Sequence, residues 1–262
     1  MKNESDSLPK GSNEFVEAFA KGLAVISAFQ NGQDGLTITE VAQRAKLDRA
    51  GARRLIMTLV RTGYATQREA RFSLTPRVLR LGFAYLSSLT IRDVAQPLID
   101  DVSKRVNKQA AVTVLDGEDI VYVARSAWQP TFWRQLTVGS QLSAYCTSTG
   151  RVLLAAKSPV ERDAYLAKVE LTQFTKHTIC DRNALRAEII RVEKQGWSVV
   201  FNELELGIVG VAVPIRDSSG RVVAALNIGG SPSNFTKASY VETFLPAALE
   251  TAAKISARLI VS

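Results

Sequence analysis

The stretch Thr37-Ile-Thr-Glu-Val-Ala-Gln-Arg-Ala-Lys-Leu-Asp-Arg-Ala-Gly-Ala-Arg-Arg-Leu-Ile-Met-Thr-Leu-Val-Arg-Thr-Gly63 decides how this chain begins to fold. Ile38 to Ala45 reads as a short helix with Thr37 or Thr39 as its cap. Asp48 can cap a second helix that runs to about Thr62 and stops at Gly63. Ile38, Val41, Ala42, Ala45, Leu47, Ala52 and Leu55 are spaced so that the two helices pack at a steep angle across a tight turn. Ala42 is small where they approach, and Lys46 stands in the turn where glycine is common. Ala52, Leu55, Ile56 and Leu59 turn inward. The opposite face presents Arg49, Ala50, Arg53, Arg54 and Met57. Such a face fits the major groove, where guanine edges accept hydrogen bonds from arginine. Thr39 and Arg44, on the first helix, complete the candidate DNA contacts there.

Outward from this pair, Phe15 to Phe29 reads as an amphipathic helix, with Phe15, Phe19, Leu23 and Ile26 at three- and four-residue spacing. Asn31-Gly32 and Asp34-Gly35 mark a turn. Tyr64 to Gln67 and Arg71 to Leu74 read as two strands around Arg68-Glu69-Ala70. That hairpin is placed like a wing, with Arg68 and Arg71 set to touch backbone phosphate. Residues 15–75 are therefore expected to form a winged helix-turn-helix DNA-binding domain behind a disordered tail, 1–14. Pro76 suits the first turn of a further helix. The linker helix is expected over 76–89, joining the domains and helping to dimerise them.

Charge supports this reading. The 262-residue chain carries a net charge of +8. Between Arg44 and Arg80 there are ten basic residues and two acidic ones, so the remainder, with 23 of each sign, is neutral. A single basic patch on an otherwise balanced protein is the footprint of a polyanion. No apolar run approaches the roughly 18 residues that span a bilayer, and the polar start has no signal-peptide core. A cytoplasmic protein with no membrane partner is expected. Two scattered cysteines, Cys146 and Cys180, and one histidine, His177, supply neither a disulfide framework nor a zinc site. They offer little for Ser-His-Asp or Cys-His catalysis. No enzyme, metal or cofactor is expected.

The rest of the chain, 90–262, reads as an α+β domain on an antiparallel sheet. Helices are expected over Ile91–Val106, Ser148–Ala156, Pro159–Lys168, Asn183–Gln195 and Thr236–Leu259. Strands are expected over Ala110–Leu115, Ile120–Ala124, Trp197–Phe201, Val209–Ile215 and Val222–Ile228, with hairpin signals at Asp116-Gly117-Glu118-Asp119 and Asp217-Ser218-Ser219-Gly220.

Four segments carry a family resemblance: Phe19-Ala-Lys-Gly-Leu-Ala-Val-Ile26; Gly139-Ser-Gln-Leu-Ser-Ala-Tyr-Cys-Thr-Ser-Thr-Gly-Arg-Val-Leu-Leu-Ala155; Gly196-Trp-Ser-Val-Val-Phe-Asn-Glu-Leu-Glu-Leu-Gly207 with Ala212-Val-Pro214; and Gly220-Arg-Val-Val-Ala-Ala-Leu-Asn227. In this order and spacing the chain resembles the IclR family of bacterial transcription regulators from about Phe15 to Leu259. The opening Phe-Ala-Lys-Gly-Leu and the Ala-Tyr-Cys-Thr-Ser run look most like the branch that regulates protocatechuate and 4-hydroxybenzoate breakdown in the β-ketoadipate pathway. Ser143, where that branch usually has proline, Phe201, where an acidic residue is common, and Gly229, where serine is frequent, depart from it.

The resemblance implies a GAF-like effector domain with a pocket on one sheet face, a small organic acid as effector, and a homodimer or tetramer on a double-stranded operator, with RNA polymerase as a further partner. It places Ser148 and Thr149 where backbone groups meet an effector carboxylate, consistent with free N–H groups at a helix start. Val200, Ile208 and Gly210 match pocket walls. Asn227 and Gly229 match positions that often carry hydroxyls. Tyr145 and Thr147 join them by neighbourhood. Arg125 and Arg134 could anchor a carboxylate, but a surface role is favoured; Trp128, Trp133 and Trp197 are expected in the core or an interface, His177 in an exposed loop, and Glu203 as a loop holder rather than a ligand contact. The competing readings are a constitutive DNA-binding repressor without effector and a nucleic-acid-associated enzyme. A ligand left chemically unchanged separates the regulator from the second, and a ligand-dependent stability shift separates it from the first.

Overall fold

The computed structural model describes residues 15–29, 35–81, 90–127, 136–232 and 234–259. The chain divides into two compact units, Met1–Ser88 and Leu89–Ser262. The expected tail, most of the linker helix (82–89), the Asn31-Gly32 turn, Trp128, Trp133 and Arg134 lie outside the described residues.

In the first unit, α1 (Glu17–Ser27), α2 (Ile38–Arg44) and α3 (Arg49–Arg61) surround a core of Val25, Leu36, Val41, Ala42, Ala52, Ile56, Ala65 and Phe72. Thr37, not Thr39, caps α2: its hydroxyl accepts from Glu40 N at 3.3 Å while the Glu40 carboxylate accepts from Thr37 N at 2.7 Å. The Asp48 carboxylate accepts from Gly51 N at 2.7 Å and opens α3. Lys46 holds the turn between them at φ 54°, the left-handed conformation that favours glycine. A short strand that the sequence did not suggest, β1 (Leu36–Thr37), pairs with β3 (Arg71–Leu74), which pairs in turn with β2 (Ala65–Arg68). The wing is thus a three-stranded sheet. The stripe expected to bury α1 does not do so: Phe15, Phe19 and Leu23 are exposed, and the next stripe round, centred on Val25, enters the core. A single 3-10 turn, Pro76–Val78, starts the expected linker helix, and helical residues continue through 81.

The second unit is built on a six-stranded antiparallel sheet. Its strands are β4 (Gln109–Asp116), β5 (Asp119–Arg125), β6 (Gln141–Ser143), β7 (Ser198–Phe201), β8 (Val209–Arg216) and β9 (Val222–Gly230), in the order β6-β5-β4-β9-β8-β7. β6 was not foreseen; its three residues are too few to show a period. α4 (Thr90–Val106) and α8 (Lys237–Arg258) cover one face, over a core that includes Ile99, Val112, Val211, Leu226, Tyr240 and Phe244. α5 (Ser148–Ala155), α6 (Pro159–Lys168) and α7 (Arg182–Gln195) belong to the other face, where Ile120, Leu154, Leu185, Ile189, Ala212 and Ala225 meet. With both faces covered, the central strands are almost wholly apolar rather than alternating, and five of the eight β8 residues are valine, alanine or isoleucine. No described helix is long and apolar enough to cross a membrane. The α+β architecture, helix-turn-helix followed by antiparallel sheet, is the one expected.

Candidate nucleic-acid interface and ligand cavity

In the first unit α3 turns Ala52 and Ile56 fully inward and leaves Arg49, Ala50, Arg53 and Arg54 exposed. Met57, expected outside, is half-buried against the core. Arg49 and Arg53 line a groove with Thr39 from α2 and Gln67 from β2. Gln67 was not among the expected contacts; alternation along so short a strand gave no reason to choose it. Arg54 lies in a separate depression with Lys21 and Asp48. Arg68 is exposed at the end of the wing.

Two expected contacts, both exposed, also make hydrogen bonds within the domain. Arg71 Nη1 donates to Gly35 O at 2.9 Å and lies 3.8 Å from Glu40, bracing the wing on the turn before α2. Arg44 Nη1 donates to Ala28 O at 3.1 Å, tying α2 to the end of α1. Arg77, outside the expected set, donates to Thr62 O at 2.9 Å and lies over the Tyr64 ring at 5.1 Å.

In the second unit a cavity opens between the start of α5 and the sheet. Its floor is a row of residues paired across four strands: Gln109, Gly229, Gly210 and Val200. The neighbouring row adds Arg125, Ala111 and Asn227. Thr147, Ser148, Thr149 and Cys146 close it from α5 and the 3-10 turn Ala144–Cys146; Leu204, Glu205 and Ile208 line it from the loop after β7. Eight of the nine expected effector positions therefore share one cavity: Thr147, Ser148, Thr149, Val200, Ile208, Gly210, Asn227 and Gly229. Tyr145 does not join them. It is 1% exposed, its hydroxyl donates to Thr172 O at 2.6 Å, and its ring stacks on Phe174.

The cap of α5 is Thr147, whose hydroxyl oxygen accepts from Gly150 N at 3.2 Å. That frees Ser148, whose Oγ accepts from Asn227 Nδ2 at 2.8 Å. The first-turn N–H groups of Ser148 and Thr149 have no helical carbonyl to pair with, as at any helix start. α5 sits tightly on the 3-10 turn because residue 150 is glycine: a Cβ there would lie 2.1 Å from Ala144 O. Gly210 has a comparable role, since a Cβ would meet Asn227 Nδ2 at 2.4 Å and Ser148 Oγ at 3.1 Å.

Charge in and around the cavity is distributed unevenly. Arg151, one turn into α5, is 1% exposed and makes a two-pronged ion pair with Glu203, at 2.8 and 2.5 Å. Its Nε donates to Tyr145 O at 2.9 Å, and Glu188 lies 3.7 Å away. The Glu203 carbonyl accepts from the Thr178 hydroxyl at 2.6 Å, so Glu203 is a loop holder as expected. Phe201 faces away from the cavity: it packs on the α4 and α8 side while Val200 lines the wall, as strand alternation requires. The missing acid at 201 thus has no bearing on the cavity's charge. Burial pushes the Cys146 thiol up to about 12, so it stays a neutral wall group.

Arg125, for which the sequence favours a surface role over a carboxylate anchor, is on the cavity wall. Its guanidinium carbon lies 4.8 Å from the centre of the Tyr122 ring, and its buried Nε has no hydrogen-bond partner. Burial works against its charge and pulls its pKa down, and burial likewise raises that of the Tyr122 phenol, which stays a neutral hydroxyl. A bulge explains why strand alternation does not bring Arg125 together with Tyr122. Thr113 pairs with Tyr122 but Val112 with Ala124, leaving Val123 as an extra residue on β5. In a regular strand, residues 122 and 125 would face opposite sides. Among the described residues, no three His, Cys, Asp or Glu side chains are grouped to hold a metal ion.

Comparison with known proteins agrees with this anatomy. Residues 18–69 match the family model described as the IclR helix-turn-helix domain, and residues 83–257 match the bacterial transcriptional regulator IclR C-terminal domain. The Pca regulon regulatory protein of Pseudomonas putida is 43% identical over 90% of this chain and 81% of its own length. A putative transcriptional regulator from Rhodococcus sp. RHA1 superposes with a TM-score of 0.80 at 42% identity, over 94% of this chain and 98% of that one. An IclR homologue from Microbacterium hydrocarbonoxydans, solved in complex with 4-hydroxybenzoate, gives a TM-score of 0.80 at 25% identity, over 92% of this chain and 98% of that one. The chain belongs to the IclR family of bacterial transcriptional regulators.

Proposed function

We propose that this chain, in the cytoplasm, binds a short palindromic operator as a homodimer or homotetramer, and that a small organic acid in the second unit's cavity controls that binding or the recruitment of RNA polymerase. The observation that carries the proposal is the cavity itself. An apolar wall of Val200, Ile208 and Leu204 suits a ring, and polar groups stand at two sides, Ser148 with Asn227 and Arg125 with Tyr122. The 4-hydroxybenzoate complex of the Microbacterium homologue and the Pca regulon role of the Pseudomonas relative favour an aromatic acid or a related acid of its breakdown. DNA is contacted by Arg49, Ala50, Arg53 and Arg54 on α3, with Thr39 and Gln67 beside them and Arg68 on phosphate. The exposed stripe of Phe15, Phe19 and Leu23 on α1 supports self-association.

Effector binding and operator binding are coupled because the acid binds one conformational population better than the other. The test is a thermal-shift series with 4-hydroxybenzoate, protocatechuate and β-ketoadipate, followed by operator titration with the acid that binds. An acid at a hundred times its dissociation constant stabilises the protein by about 2.7 kcal/mol. Absence of binding by every acid, or binding with no change in operator affinity or transcription, overturns the proposal.

A further inference from the structure

Buried arginines in the second unit have partners. Arg151 is held by Glu203, and Arg162, 9% exposed, is paired with Glu193 at 2.5 Å. Arg125 is different: it is half-buried, and its partner is the neutral Tyr122, by ring and hydroxyl, rather than a carboxylate. Among the described residues no carboxylate makes an ion pair with its guanidinium, although Glu205 lines the same cavity, and its Nε is buried without a hydrogen bond. Arginine does not shed its proton in a protein, so a half-buried charge with its Nε closed off from water and no counter-charge beside it is placed to receive an anion from outside the chain. The side chain is also held in place. The Arg125 carbonyl accepts from Gln96 Nε2 at 2.9 Å, and the next residue, Ser126, exchanges two hydrogen bonds with Ala110, at 2.8 and 3.1 Å. The bulge in β5 re-aims Arg125 and Tyr122 onto the same cavity wall, and a bulge beside a site commonly serves to redirect a side chain in this way.

Building on the reading that the cavity takes an organic acid, we propose that Arg125 is the counter-ion of the effector's carboxylate, and that the Ser148–Asn227 pair reads an uncharged polar group at the ligand's far end. This reverses the orientation expected from the start of α5. Three points support it. A full charge attracts a carboxylate more strongly than the partial charge of a short helix's first turn. The Nε–H and an adjacent N–H of a guanidinium can grip both carboxylate oxygens at once. And Ser148 Oγ and Asn227 Nδ2 are already bonded to each other, which leaves a hydroxyl hydrogen and a carboxamide oxygen, a donor and an acceptor suited to a phenol. Arg125 and Asn227 stand on either side of Ala111 in one cross-strand row, so their backbones are about 10 Å apart, two strand spacings. One ring with substituents at opposite ends, met by the two side chains, fills that gap.

The test is calorimetric titration of the full chain with 4-hydroxybenzoate, benzoate and 4-hydroxybenzamide. Should protocatechuate or β-ketoadipate bind wild type more tightly, that acid and its amide take their place. Arg125→Gln is expected to lose about tenfold or more in affinity for the acid while affinity for the amide changes little, so the acid-over-amide preference collapses. Arg125→Lys keeps part of the preference because it keeps the charge. Asn227→Ala keeps all of it but loses discrimination between 4-hydroxybenzoate and benzoate. An intact acid-over-amide preference in Arg125→Gln, or its loss in Asn227→Ala, overturns the assignment and leaves the regulator reading standing. No binding of any acid by wild type overturns both. A readout in wild type covers a glutamine variant that fails to fold: the Arg125 Nε–H should be protected from solvent exchange by the acid and not by the amide. Equal protection by both also refutes the proposal.

Discussion

Replacing Glu203 by alanine is expected to destabilise the second unit by about 3 kcal/mol, toward the low end of the 3–5 kcal/mol typical when one member of a buried pair is removed. The substitution deletes two charge-assisted hydrogen bonds, at 2.8 and 2.5 Å, from a guanidinium that is 1% exposed and cannot turn to water. Two features place the loss at the low end. Tyr145 O still accepts from Arg151 Nε at 2.9 Å, and Glu188, at 3.7 Å and 15% exposed, still opposes the charge. The backbone of residue 203 also keeps the Thr178 hydroxyl bond to its carbonyl. All three tryptophans lie between residues 128 and 197, so fluorescence during urea unfolding reports on this unit and not on the DNA-binding one. Arg151→Met combined with Glu203→Leu should recover most of the loss, because it removes the stranded charge together with its partner. A Glu203→Ala loss below about 1 kcal/mol, or a double variant no better than the single, would refute the view that this ion pair fixes the loop carrying Leu204 and Ile208.

Arg53→Ala and Arg54→Ala are each expected to weaken operator binding by about 1–3 kcal/mol with unfolding unchanged, whereas Arg71→Ala should lower the stability of the first unit; operator titration at fixed salt beside thermal unfolding separates the two. Lys46→Gly should stabilise the first unit by about 1 kcal/mol, because the φ of 54° strains any residue with a Cβ; chemical denaturation checks it, and a destabilised variant contradicts it. Gly150→Ala should destabilise the second unit by more than about 2 kcal/mol and abolish acid binding together, since a Cβ placed 2.1 Å from a backbone oxygen forces α5 off the 3-10 turn; wild-type affinity in a folded variant would contradict it. The Ser158 hydroxyl and amide, with help from Lys157, hold the Glu161 carboxyl down at about 2. Its contribution to capping α6 is present above the ordinary carboxylate range near 4.5, is lost as pH falls through about 2, and can be followed by NMR titration of that carboxyl.

The parts legible in the sequence were those set by local rules. Asp48 and Gly63 fix the ends of α3, and the run Ala52, Leu55, Ile56, Leu59 fixes its inner face, so its arginines had to point out. The Asp116–Asp119 and Asp217–Gly220 turns fixed two hairpins, and both formed. What was missed depended on partners distant in sequence. Arg71 reads as a phosphate contact, but its second task, a hydrogen bond to Gly35 O 36 residues earlier, shows only in the fold. Apolar periodicity on α1 marked a stripe to be covered, but which of two adjacent stripes enters this unit's core is decided by α3 and α2.

The cavity shows why a ligand site is harder to read than a core. It depends on what small residues admit: Gly210 and Gly229 make room for the Asn227 side chain, and Gly210 also for Ser148 Oγ, where neighbouring strand positions carry valine and leucine. A residue that makes room for another side chain leaves no periodic signal, and glycine in a strand reads as weakness until its neighbours are known. Its arginine reads as a surface residue first, and a carboxylate anchor second, for a related reason. Alternation assigns Tyr122 and Arg125 to opposite faces, and only the unpaired Val123 reverses that. Pairing of β5 with β4 creates the bulge, and β4 is itself held in register by β9, more than a hundred residues later in the chain. The arginine therefore reaches the cavity through sheet register, while Ser148 and Thr149 reach it through a local helix start. That difference is why the start of α5 was readable as the anion site from sequence, and why the guanidinium across the floor, with its Nε unbonded and no carboxylate paired to it, is the stronger claimant once the fold is in place.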